Sequence, residues 1–180
     1  MKLLLCSISI LVLCVVAQPA ISQQTFYKTY GHNSAGGEGR TIIQTSDGGY
    51  ILGGGSQSNI SGDKTENCIG SFDYWIVKIN VAGNIEWQNT IGGSGNDQLQ
   101  SVIQTTDGGY LLGGRSNSNI SGDKYENCIG SWDYWIIRTD SVGSIIWENS
   151  IGGVGEDILE CVNQTSDGGF LLSGYSDSNI

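Results

Sequence analysis

Thr45-Ser46-Asp47-Gly48-Gly49-Tyr50-Ile51-Leu52-Gly53-Gly54 returns one repeat later as Thr105-Thr106-Asp107-Gly108-Gly109-Tyr110-Leu111-Leu112-Gly113-Gly114, and its opening returns again as Thr165-Ser166-Asp167-Gly168-Gly169-Phe170. Aligned without a gap, residues 45–104 and 105–164 are identical at 38 of 60 positions, so the chain is built from an internal repeat. A truncated copy occupies 165–180, and a degenerate partial copy occupies 30–44.

Each full copy carries four strand signals. Residues 40–45 run into Asp47-Gly48-Gly49 and residues 50–54 run out, a β-hairpin in which the Asp-Gly pair supplies the positive φ of a tight turn. A polar stretch then leads to Asp73-Tyr74-Trp75-Ile76-Val77-Lys78-Ile79, and 80–84 turn the chain into Ile85-Glu86-Trp87-Gln88-Asn89-Thr90-Ile91. The second copy places the same strands at 100–104, 110–114, 133–138 and 145–151. Tyr134-Trp135-Ile136-Ile137 is apolar at consecutive positions, which predicts a strand covered on both faces, as in a sheet packed between two others. Four antiparallel strands in chain order are the content of one β-propeller blade. The predicted fold is all-β: an incomplete β-propeller of four-stranded antiparallel blades, since the chain has fewer repeats than the ~4–8 blades of a ring. A piece of a longer protein is expected, with self-association of a short chain as the alternative.

Composition narrows the function classes. With 28 Gly among 180 residues and 14% charged residues against a usual ~25%, the chain is turn-rich and poor in helix-surface residues. Eight Lys+Arg face 18 Asp+Glu, and a net charge of −10 repels phosphate backbones and anionic lipid, which excludes a nucleic-acid partner. His32, the single histidine, removes multi-His zinc sites and leaves any His-dependent triad one candidate base.

Lys2 followed by the apolar run 3–16 has the form of a secretory signal, too short for the ~20 residues that span a bilayer. Ala20 and Ser22 place the cut before Gln23; a cut after Ala20 is the alternative, and bulky Leu13 before Cys14 argues against lipidation. The expected domains are therefore a signal peptide at 1–22 and the repeat region at 23–180, secreted or on the cell surface, with no membrane insertion after cleavage. The mature chain keeps Cys68, Cys128 and Cys161, an odd number without CxxC spacing.

The runs Thr-x-Asp-Gly-Gly-Tyr-x-Leu-Gly-Gly, Asp-Tyr-Trp-Ile-x-(Lys/Arg) and x-x-Gly-x-Ile-x-Trp, closing in Ile-Gly-Gly-x-Gly-x-Asp, resemble the propeller repeats of secreted and surface proteins of Bacteroidetes-type bacteria. The resemblance covers nearly all of the mature chain. It implies a propeller fold and export, often with a C-terminal sorting domain, which is not visible in this sequence.

Asp47-Gly48-Gly49, Asp107-Gly108-Gly109 and Asp167-Gly168-Gly169 resemble the Asp-box turns of sialidase-type propellers, with Leu52, Leu112 and Leu172 where that motif has an aromatic residue. In that family the box folds the blade, so these residues are expected to be structural, each Asp accepting nearby backbone N–H groups. Trp87 and Trp147 resemble the docking tryptophans of quinoprotein propellers; with Trp75 and Trp135 they are expected to pack blade against blade. Asp63 and Glu66, with Asp123 and Glu126 in the second copy, are hard oxygen donors and the candidate calcium ligands, although their spacing is not that of an EF-hand. Apart from calcium no cofactor is expected. Paired carboxylates for glycoside hydrolysis could come from Glu156 with Asp157, or from Asp97 in the preceding copy, but adjacent residues of a strand point to opposite faces, so Glu156 and Asp157 form no acid/base pair unless a bulge intervenes. Glu160, Cys161 and Arg115, which break the repeat, form no recognisable constellation.

The sequence thus points to a non-catalytic exported propeller that binds a protein or a glycan. A polysaccharide hydrolase or lyase with its catalytic residues elsewhere is the rival, and a structural spacer in an adhesin is the third class. Fold does not choose among them.

Overall fold

The computed structural model describes residues 10–14, 26–31 and 36–179. The described residues are all-β, without a helix. Their strands are β1 (Ile10–Cys14), β2 (Phe26–Tyr30), β3 (Gly37–Gln44), β4 (Tyr50–Ser56), β5 (Asp73–Ile79), β6 (Ile85–Ile91), β7 (Asp97–Gln104), β8 (Tyr110–Ser116), β9 (Asp133–Thr139), β10 (Ile145–Ile151), β11 (Asp157–Gln164) and β12 (Phe170–Ser176). They form four antiparallel sheets, ordered β1-β2, β3-β4-β5-β6, β7-β8-β9-β10 and β11-β12. Strand β1 lies inside the segment read as an export signal and pairs with β2 from Ile10 opposite Tyr30 to Cys14 opposite Phe26. The cleavage bond before Gln23 and His32 lie outside the described residues.

The strands of the two full copies form where the sequence places them, with differences at their ends: β3 begins at Gly37 rather than Arg40, and β4, β8 and β9 run on to Ser56, Ser116 and Thr139. The first strand of the second four-stranded sheet, β7, begins at Asp97 rather than Gln100. A bulge between Leu99 and Ser101 interrupts the two-residue alternation there and hides the early pairing of Asp97 with Ser116, while the Asp97 N–H donates to the Phe72 carbonyl of the preceding connector at 2.6 Å. The same bulge recurs at Gly39/Thr41 and Leu159/Cys161. The hairpin turn is also one residue longer than a two-residue connection: Thr45 N–H donates to Gly49 O and Gly48 N–H to Thr45 O. Gly48 takes φ +84°, which a side chain disfavours, and Gly108 and Gly168 repeat it.

Packing between sheets follows the same period. Strand β7 lies against β3, β4 and β5, and β11 lies against β7, β8 and β9. One core joins Ile51, Tyr74, Ile76 and Ile91 of the first full sheet to Leu99, Val102, Tyr110 and Trp135 of the second. All of β5 is buried, and β9 is buried apart from half-buried Tyr134, as consecutive apolar residues require. A side chain such as Leu99 contributes about 1.5–3 kcal/mol by leaving water.

Candidate functional site

Strand alternation sends the short turns 45–49, 80–84, 105–109 and 140–144 to one end of the sheets and the connectors 57–72, 92–96, 117–132 and 152–156 to the other. The short-turn end is locked. Asp47 accepts the Thr45 hydroxyl at 2.5 Å and the Gly49 N–H at 2.9 Å, while Lys78 Nζ reaches Asp47 at 2.8 Å and Glu86 at 2.7 Å. The Lys78 hydrogen bond, then those of Thr45 and Gly49, lower the Asp47 carboxyl to about 2. Burial pulls Lys78 downward, but its bonds and charges with Asp47 and Glu86 outweigh this and raise it. In the second copy Arg138 pairs with Asp107, whose carboxyl is lowered first by Thr105 and then by Gly109. Asp167 accepts Thr165 and Gly169 in the same way. The cation partner was missed in the sequence, although Lys78 and Arg138 share one repeat position and were its signal.

The aromatic residues named from the sequence all lie in or beside the sheets. Trp75 and Trp135 are buried, and the Trp135 ring is 5.0 Å from Tyr74 of the neighbouring sheet. Trp87 meets Tyr110 edge-on at 5.7 Å across the same junction, and Trp147 leans on Phe170 at 6.2 Å.

At the loop-bearing end the four candidate calcium ligands are occupied by backbone groups. Asp63 accepts Gly31 N–H at 3.1 Å and returns its own N–H to Gly31 O at 2.9 Å. Asp123 makes the same reciprocal clasp with Gly92, at 3.2 and 2.9 Å. Glu66 accepts Thr90 N–H and Glu126 accepts Ser150 N–H at 2.7 Å, so each acid holds an outer strand to its loop. Among the described residues no group of three or more His, Cys, Asp or Glu side chains is arranged to hold a metal ion.

Two lysines lie beneath these loops. Lys64 donates to Glu66 O at 2.6 Å and Thr90 Oγ1 at 2.8 Å; Lys124 donates to Ser150 Oγ and lies 5.4 Å from the Trp135 ring. Burial lowers both ammonium groups. Cys68 donates its thiol to Asp73 at 2.8 Å, and burial, then Asp73, pushes it up to about 12; Cys128 is pushed up to about 11. Cys68, Cys128 and Cys161 are free thiols.

Four further carboxylates bond within the connectors of this end. Asp73 and Asp133, both buried, accept the N–H groups of Ile69 and Gly70, and of Ile129 and Gly130. Asp97 accepts Gly93 N–H at 2.7 Å and the Ser118 hydroxyl at 3.0 Å, and Asp157 repeats this with Gly153 and Ser178. Arg115 reaches Gln98 and stacks 4.6 Å above Trp132, apart from any carboxylate pair. The acids and lysines named above bond to backbone groups, to hydroxyls or to each other, and most of these bonds recur in both full copies.

No protein-family model matches the chain, and no curated relative does.

Proposed function

We propose that the chain is an exported, non-catalytic β-propeller scaffold whose loop-bearing end is its binding face. The reading is supported by one observation above the rest: the polar groups at this end recur in both copies and are engaged in holding the loops. A reacting centre needs a group that its sister repeats lack, whereas a binding face gains from repetition. Export follows from the basic and apolar start of the chain, with cleavage before Gln23. The repeated placement of β7 on the first full sheet and of β11 on the second supports the propeller, because one rotation applied again generates the next blade.

The test is to display the full exported chain against peptide and glycan arrays, beside a variant with residues 59–67 and 119–127 replaced by Gly/Ser. Binding that this variant loses supports the scaffold. Turnover of a polysaccharide panel, without array binding, overturns it in favour of the hydrolase or lyase. Intact mass of the exported protein tests the signal: a retained Met1 or a lipid on Cys14 refutes it.

A further inference from the structure

The polar network at the loop-bearing end positions four isoleucines that are themselves exposed. Ile60 is 62% exposed, Ile120 59%, Ile129 61% and Ile69 44%. Single exposed apolar residues need no explanation, but these four recur at two positions of each copy, and each has its backbone N–H pinned by a side chain. Asn67 holds Ile60 at 3.2 Å and Asn127 holds Ile120 at 3.1 Å. Asp73 holds Ile69 at 2.5 Å and Asp133 holds Ile129 at 2.7 Å. The two loops also meet: Ile69 Cγ2 lies 2.8 Å from where a Cβ on Gly122 would stand, two residues beyond Ile120. Holding the backbone of an exposed apolar residue in advance removes the loop-ordering part of the cost that binding would otherwise carry.

Charge at this end has one sign. Every lysine between 45 and 179 is buried, as is Arg138, and half-buried Arg115 is engaged by Gln98 and Trp132. Asp63, Glu66 and Glu126 of the same loops remain exposed. Exposed aliphatic side chains on loops that also carry exposed acids, with Tyr125 70% exposed beside Glu126, suit apolar side chains carried between cations.

We propose that the loop-bearing end binds a basic polypeptide segment, its apolar side chains seated on Ile60, Ile69, Ile120 and Ile129 and its cations facing Asp63, Glu66 and Glu126. This rests on the scaffold reading and names its partner class as polypeptide rather than glycan. Complementary charge raises the encounter rate, and the isoleucines supply the discrimination between one basic chain and another.

The probe is a fluorescein-labelled peptide of twelve alternating Lys and Leu, compared by anisotropy with Lys/Gly and Glu/Leu peptides on the full chain. The expected result is at least tenfold tighter binding of Lys/Leu than of either control. The double variant Ile120→Ser/Ile129→Ser should lose that advantage over Lys/Gly while keeping its melting temperature, and Ile60→Ser/Ile69→Ser should do the same. Glu66→Gln/Glu126→Gln should flatten the salt dependence. Equal binding of Lys/Leu and Lys/Gly, or an advantage that survives both isoleucine variants, overturns the proposal. Glycan binding on the arrays with no peptide preference removes this inference and leaves the scaffold standing; no binding of either class removes both.

Discussion

Leu99 fills the space that Gly53 leaves by having no side chain: a Cβ there would stand 2.5 Å from Leu99 Cδ2. At Gly113 the space is filled by Val162 together with Leu159, the latter at 2.7 Å, so in both copies an aliphatic side chain of the next sheet lies over a glycine. Gly53→Ala forces a methyl group into a filled site and is expected to cost about 1–3 kcal/mol. Leu99→Ala opens a cavity and should cost about 2–5 kcal/mol. The two changes touch one site, so the double variant should be less destabilised than the sum of the singles, in urea melts. Strict additivity would mean that the knob and the glycine do not meet.

That relationship marks the limit of what the sequence tells. The turns were legible because Asp47-Gly48-Gly49 is local chemistry repeated at a fixed period, and burial of β9 was legible because Trp135, Ile136 and Ile137 are consecutive. Gly53 beside Leu99 was not, since the two residues belong to different sheets and neither is unusual in its own strand. The bonds of Asp63 and Asp123 were not legible either: as acids in a polar loop they read as candidate calcium donors, and the N–H groups that donate to them, of Gly31 and Gly92, lie 32 and 31 residues away in the chain. The isoleucines were passed over because exposure cannot be read from a residue type.

Asp47 sets the acid sensitivity of the turns. Its carboxyl lies at about 2 in the folded chain against 3.8 when unperturbed, so the stability it contributes is present above 3.8 and lost as pH falls toward 2. Asp47→Ala should cost about 1 kcal/mol near neutral pH, a modest figure because the carboxylate is largely exposed and screened. The gap between variant and wild-type melting temperatures should close as pH is lowered to 2. A gap independent of pH would assign the effect to the Ala substitution itself.

Asp97 has the opposite sign. Burial raises its carboxyl, Asp73 nearby adds to the rise, and Oδ1 has no hydrogen-bond partner. A raised folded value means the ionised form is the costly one, so stability falls as pH rises from the unperturbed 3.8 through the folded value. Asp97→Asn removes the buried charge and keeps an oxygen for Gly93 and Ser118. It should melt above the wild type at neutral pH and approach it in acid. A variant less stable at neutral pH than in acid, relative to wild type, would show that the ionised carboxylate is needed.

The thiols offer a kinetic check. With burial and Asp73 holding Cys68 near 12, and Cys128 near 11, thiolate is scarce at neutral pH and the sulfur atoms are partly covered. Both should react with a disulfide reagent at least tenfold more slowly in the folded chain than in urea, followed by mass mapping. Rapid labelling of Cys68 under native conditions would mean that the loop opens around Asp73.

The clasp between Asp123 and Gly92 gives a test that separates a structural acid from a calcium ligand. Asp123→Ala leaves the Gly92 N–H without its side-chain acceptor and loosens the seam where loop 117–132 meets the connector 92–96, at a cost of about 1 kcal/mol. Amide exchange at Gly92 and Gly93 should accelerate while exchange in β5 and β9 stays slow, because those strands are held by the sheet and not by the clasp. Calcium at millimolar concentration should leave the wild-type melt where it is, since among the described residues no group of three or more His, Cys, Asp or Glu side chains converges on a metal position. A melt raised several degrees by calcium, and unresponsive in Asp123→Ala, would make Asp123 a ligand after all, because only an ion bound to the folded state shifts the equilibrium in that way.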